Sequence, residues 1–236
     1  MQKTSNLLPD PFSGWESESM LASSAAPAAS WEAGTSPVSL GEIVSAEKSV
    51  AVWQRQVDKT IATYFENTFE SLGLGIRSVF SMASLKNNLN ELLPEANGKT
   101  AAINDVYLLA DMLTCLFDCD GVGLRLAPLC EAMCPKLHVD KIAVRMVSTY
   151  LGEGTEWLPN EKIVPAAQAG TGKVIKTAVH QGYYNSKDIK QLNAFDVALL
   201  KGSAWGDNES MSAIHRSCQV PSNSKRVLLT LDPLQS

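Results

Sequence analysis

Apolar residues recur at helical spacing in the first half of the chain and in short, strand-like runs in the second. Over residues 46–70 the positions Val50, Trp53, Val57, Ile61, Tyr64 and Phe65 fall mostly three or four apart, which predicts a helix. Gly73 and Gly75 interrupt it. Residues 82–93 predict a second helix, stopped by Pro94, and residues 101–117 a third, with Val106, Leu109, Leu113 and Leu116 along one side. The texture then changes. Short apolar runs at 122–126, 142–151, 174–178, 197–200, 211–215 and 227–231 are separated by turn-forming residues. Many short strands with turns between them predict a β sandwich or barrel rather than βαβ units. The expected class is α+β: a helical layer over 46–120 followed by a β core over 121–236, in one domain.

Residues 1–45 are rich in Ser, Ala, Pro and Gly, with scattered Trp15 and Trp31 and no sustained period, which predicts a disordered arm. Charge separates the same two parts. Residues 1–47 hold a single basic residue, Lys3, against Asp10, Glu16, Glu18, Glu32, Glu42 and Glu47. The formal net charge of −5 therefore resides in the first 47 residues, and the rest of the chain is neutral. A polyanion binder carries a basic face, so a nucleic-acid partner is not expected. No window approaches 18 consecutive apolar residues and no signal-peptide pattern opens the chain, so a cytoplasmic protein without a membrane span is expected. Five cysteines, an odd number, then read as reduced thiols, most of them buried as small hydrophobes. Cys115 and Cys119, four apart, are expected to pack rather than to bind a metal.

The three histidines are His138, His180 and His215. His180 stands in a polar stretch and reads as an exposed loop residue. His138-Val139-Asp140 precedes the best strand, and in extended chain residues i and i+2 share a face. The pair can offer an imidazole nitrogen and a carboxylate oxygen to one ion. His215 ends a short apolar run; if that run lies beside His138, three donors meet. Two histidines and one carboxylate with open positions are the donor set of non-haem Fe(II) oxygenases. Arg226 follows His215 by eleven residues, at the head of another strand, where its planar fork suits a carboxylate. Arg145, inside the strand at 142–151, needs a buried partner, for which Glu156 is a candidate. Cys130, Cys134, His138 and Asp140 form a competing zinc pattern, although Pro135 breaks the helix that would align them. Cys134 and Cys218 each lie within four residues of a proposed ligand. Gly170-Thr171-Gly172-Lys173 looks like a phosphate loop, but Ala167 and Val174 stand where glycine and Ser/Thr are required, and a mobile loop is expected instead.

The pattern His138-Val139-Asp140, His215 and Arg226 resembles that of the Fe(II)/2-oxoglutarate-dependent dioxygenases over roughly residues 122–232. Phe195-Asp196-Val197-Ala198-Leu199-Leu200 is similar to that family's Gly-Asp turn and strand, with Phe195 in place of the usual glycine. This resemblance implies a double-stranded β-helix (jelly roll) flanked by the helical layer. It implies Fe(II) on His138, Asp140 and His215, and 2-oxoglutarate held by Arg226 with help from Tyr150 or Thr149. A second resemblance has more motifs in order: Cys134-Pro135-Lys136-Leu137-His138-Val139-Asp140, Arg145, Thr149-Tyr150, the Gly-Thr-Glu-Trp-Leu-Pro segment from Gly154, Leu200-Lys201-Gly202 and His215-Arg216-Ser217. It is to a bacterial family known only as a domain of unknown function, with no established activity. Members encoded near zinc-homeostasis genes imply an alternative: a non-catalytic zinc-binding or metal-homeostasis protein on the same fold. A degenerate β domain without metal, presenting the helical layer to a partner, is the third possibility. The expected substrate is a small molecule or a protein side chain.

Overall fold

The computed structural model describes residues 28–165, 172–206 and 209–234. Its framework is a seven-stranded sheet. The strands are β1 (Trp31–Gly34), β2 (Val50–Trp53), β3 (Ile76–Ser81), β4 (Gly121–Leu129), β5 (Val144–Leu151), β10 (Val197–Lys201) and β12 (Arg226–Pro233), in the order β1-β2-β10-β5-β12-β4-β3. All neighbours run antiparallel except β1 and β2. A small sheet of β6 (Glu156–Leu158), β9 (Lys190–Gln191) and β11 (Ile214–Arg216) lies across one face. A hairpin of β7 (Lys173–Lys176) and β8 (Gln181–Tyr184) stands beyond it.

The period of two along each long strand divides the residues between the faces. In β5, Val144, Met146 and Tyr150 point into the main core, which α1 (Lys59–Thr68), α2 (Met82–Leu92) and α3 (Lys99–Phe117) complete. Val147 points the other way. There it meets Ala198 and Leu200 of β10, Val50 and Val52 of β2, and Trp157 of the small sheet. The helices thus occupy one side of the large sheet and the small sheet the other. Between the two sheets a cavity of about 440 Å³ opens at one end.

Several expected elements shift. The predicted helix from residue 46 begins only after Asp58, whose carboxylate caps it by accepting from the Thr60 N–H. Residues 50–53 are instead a strand between β1 and β10. Val50, Ala51 and Val52 are buried on both faces, and such a run has no period that separates strand from helix. The expected disordered arm is also shorter. Trp31–Gly34 pairs with β2, and the 3-10 helix Pro37–Val44 buries Leu40 and Ile43. An edge strand and a short 3-10 helix bury few side chains, so their composition stays polar. The rest of that expectation, residues 1–27, lies outside the described residues, as do Gly170 and Thr171 of the expected mobile loop. β3 and β8 were not foreseen. α3 is long and apolar enough to cross a membrane by length and composition. Here its apolar side is core, and it carries Asp105 inward to a buried ion pair with Arg55.

Candidate metal centre

His138 and His215 meet through an antiparallel bridge. Each backbone N–H donates to the other's carbonyl at 3.0 Å. Leu137 and Val139 pack beside Ile214 in a cluster behind the small sheet, so the intervening His138, and Asp140 after it, face the cavity. The imidazole centroids of His138 and His215 are 4.4 Å apart. Asp140 completes the group: Oδ1 lies 3.6 Å from Nε2 of His138, and Oδ2 lies 3.6 Å from Nε2 of His215. One donor atom from each of the three residues falls within 4.8 Å of the others, and among the described residues no cysteine joins such a group.

The protonation pattern follows from the backbone. Nδ1 of His138 lies 2.9 Å from the Lys136 carbonyl, and Nδ1 of His215 lies 3.1 Å from the Ala213 carbonyl. A carbonyl only accepts, so each Nδ1 carries the proton and donates. Each Nε2 then presents a lone pair towards Asp140, the orientation that outer-sphere partners give to metal-binding histidines. Burial pushes the His215 imidazole down to about 4 against the upward pull of Asp140, with His138 and Arg145 adding to the depression. His215 is therefore a neutral base at pH 7.

Asp140 is held from two sides. Nη1 of Arg145 donates to its Oδ2 at 2.8 Å, and Arg145 is itself anchored by Nε and Nη2 on the two oxygens of Asp232, both at 2.7 Å. Burial lowers the Arg145 pKa, but the hydrogen bond to Asp232 and the charges of Asp140 and Asp232 outweigh it, so the net shift is upward. The Asp140 carbonyl accepts from the Ser203 N–H at 2.8 Å, and Gly202 N–H donates to Ala143 at 2.8 Å. A Cβ on Gly202 would stand 1.9 Å from the Ile142 carbonyl oxygen. Only glycine lets the chain around Asp140 pass this close to the end of β10.

Beside the triad lies a buried cation. Arg226 is 1% exposed. Its Nε donates to the Glu153 carbonyl at 2.8 Å, and its terminal nitrogens to Ser217 Oγ at 3.0 Å, Thr155 Oγ1 at 3.2 Å and Thr149 Oγ1 at 3.5 Å. No carboxylate pairs with it among the described residues. Burial accordingly lowers its pKa, with Cys218 and Glu156 pulling the other way.

Four expectations change at the site. Tyr150 is adjacent to Thr149 and so projects from the opposite face of β5; its hydroxyl donates to Asp105 Oδ2 at 2.7 Å beneath the helices. It has no place beside Arg226. Arg145 pairs with Asp140 and Asp232, whereas Glu156 pairs with Arg216, which is directly opposite it in the small sheet. Of the cysteines only Cys218 is buried; Cys115 is exposed on the outward side of α3, and Cys130 and Cys134 are exposed in the segment after β4. Cys134 lines the cavity without reaching the donor group. His180 is half-buried at the turn of the β7–β8 hairpin, with Nε2 3.3 Å from the Ser212 carbonyl. Thr155 and Ser217 on Arg226, and Arg77 and Arg125 on the cavity wall, were missed. The strand alternation that puts Arg125 opposite Leu124 and Leu126 was the available signal.

The profile of the family described as "Protein of unknown function (DUF1826)" matches residues 34–232. Among curated proteins, none matches the chain in sequence. Among solved structures, the rice dioxygenase for auxin oxidation is similar at 12% identity and a TM-score of 0.42, over 78% of this chain and 73% of that one. A Pseudomonas putida prolyl-4-hydroxylase is similar at 8% identity and a TM-score of 0.44, over 84% and 98%. EvdO2 from Micromonospora carbonacea var. aurantiaca, complexed with 2-oxoglutarate, is similar at 9% identity and a TM-score of 0.42, over 86% and 94%.

Proposed function

The chain belongs to the DUF1826 family, and for it we propose an Fe(II)- and 2-oxoglutarate-dependent oxygenase on a double-stranded β-helix, acting in the cytoplasm on a small molecule or a protein side chain. The observation that carries this reading is the convergence of the His138 and His215 Nε2 lone pairs and the Asp140 carboxylate on one cavity wall. Two neutral imidazoles and one carboxylate fit a divalent first-row metal and leave positions open.

His138, Asp140 and His215 would hold Fe(II). Bound there with 2-oxoglutarate, such an ion would supply oxidative chemistry that uses dioxygen and turns the cosubstrate into succinate and CO₂. The chain's own groups do the positioning. The bridge between His138 and His215 fixes the two rings, and the Lys136 and Ala213 carbonyls keep their protons on Nδ1. Arg145 orients Asp140. Arg226 is a buried cation without a counter-ion among the described residues, and Thr149, Thr155 and Ser217 add hydroxyls around it. Arg226 would meet the charge of a cosubstrate carboxylate. Val147 and Leu228 add apolar surface to the cavity lining, and Trp157 packs with Val147 behind it.

Anaerobic addition of Fe(II) and 2-oxoglutarate to the full chain tests the reading. A visible metal-to-ligand charge-transfer band is expected, lost in Asp140→Ala. Tight zinc binding at the same residues with no such band would favour a metal-handling protein instead.

A further inference from the structure

The cavity wall opposite the small sheet carries two arginines that the proposed chemistry leaves unused. Arg77 of β3 and Arg125 of β4 stand directly opposite each other in the antiparallel ladder. Both line the cavity that holds His138, Asp140 and His215. Like charges in this position repel. Among the described residues neither guanidinium has an ion-pair or hydrogen-bond partner. Across β4, Arg125 faces the uncharged Thr230 of β12. The cavity's carboxylates are already engaged: Asp140 and Asp232 by Arg145. Arg216, also on the wall, is neutralised by Glu156. Arg77 and Arg125 are therefore the lining cations without an anionic partner among the described residues. Two planar forks side by side at the cavity rim, with Arg77 exposed on the edge strand and Arg125 half-buried beside it, match the oxygens of a carboxylate or phosphate.

We propose that Arg77 and Arg125 bind an anionic group, carboxylate or phosphate, of the substrate. As a substrate class the inference rests on the oxygenase reading; the anion site itself rests on the paired arginines. It is separate from Arg226, which lies buried behind the cavity and has its own hydroxyl partners.

Phenyl phosphate, benzoate and the neutral benzamide serve as probes on the full chain, read by titration calorimetry. At least one of the two anions should bind saturably with a Kd of about 1 mM or tighter, and benzamide should not. The stronger anion identifies phosphate or carboxylate as the preferred group. Arg77→Gln and Arg125→Gln should each weaken it about tenfold, while the Fe(II)–2-oxoglutarate band persists. Relief of the repulsion should raise the melting temperature of either variant by up to about 4 °C without ligand; a fall would mark the arginines as structural. The proposal is overturned if neither anion binds, if the double variant binds as well as the parent, or if that variant loses 2-oxoglutarate instead. An arginine-dependent anion site in a chain that forms no band would uphold the site and sink the oxygenase reading. A band in a chain with no anion site would do the reverse.

Discussion

Arg55 and Arg226 are both buried arginines, placed on opposite sides of the large sheet. Arg55 lies on the helix side and is closed upon itself. Its Nη1 and Nη2 meet the two oxygens of Asp105 at 2.7 and 2.8 Å, its Nε meets the Phe195 carbonyl, and the Tyr150 hydroxyl completes the Asp105 carboxylate. Burial and the Asp105 charge hold the Tyr150 phenol far above its ordinary range. Arg226 lies on the cavity side and has hydroxyls and a carbonyl but, among the described residues, no anion. A buried cation whose charge is already matched ties core elements together. A buried cation whose charge is unmatched leaves room for a ligand's charge, which is the role proposed for Arg226.

Four substitutions probe that contrast. The largest effect is expected from Arg55→Ala, which leaves Asp105 charged, buried and unpaired; urea unfolding should show a loss of about 3–5 kcal/mol. In Arg226→Met the outcome should be inverted. Stability should stay within about 1 kcal/mol, since no charge is orphaned. The affinity for 2-oxoglutarate, followed by the visible band, should fall about 100-fold or more, with metal affinity unchanged. A stability loss as large as that of Arg55→Ala would make Arg226 a structural residue and erase the contrast. Arg145→Met removes the group that orients Asp140, and metal affinity measured by competition with a chelator should drop about 10- to 100-fold. Tyr150→Phe should be the mildest. It costs one hydrogen bond to a charged acceptor, about 1.5 kcal/mol of stability, and should leave 2-oxoglutarate affinity untouched. A change in that affinity would return Tyr150 to the site.

Legibility differed between the elements. α2 and α3 could be read closely because a helix is specified locally, by a stripe of spacing three and four and by stop signals such as Pro94. β5, β10 and β12 were legible as apolar runs, but β2 was not. Its four residues owe their conformation to β1 and β10 on either side rather than to their own pattern. Phe195 shows the same limit at one residue. It occupies the left-handed region at φ +70°, where the resembling family uses glycine, and its ring is retained by packing against Tyr150.

The sequence by itself determined the candidates for chemistry. His138 and Asp140 share a face because extended chain repeats every two residues, and that holds whatever the chain folds against. The same alternation sets Arg145 and Thr149 on one side of β5 and Tyr150 on the other. Tertiary structure alone decided who meets whom. The His138–His215 bridge joins residues 77 apart, Arg145 selects Asp140 and Asp232 over Glu156, and Arg77 is brought against Arg125. Such pairings depend on strand order and register. Those are set by burying both faces of a seven-stranded sheet at once, a constraint that no local stretch of sequence contains.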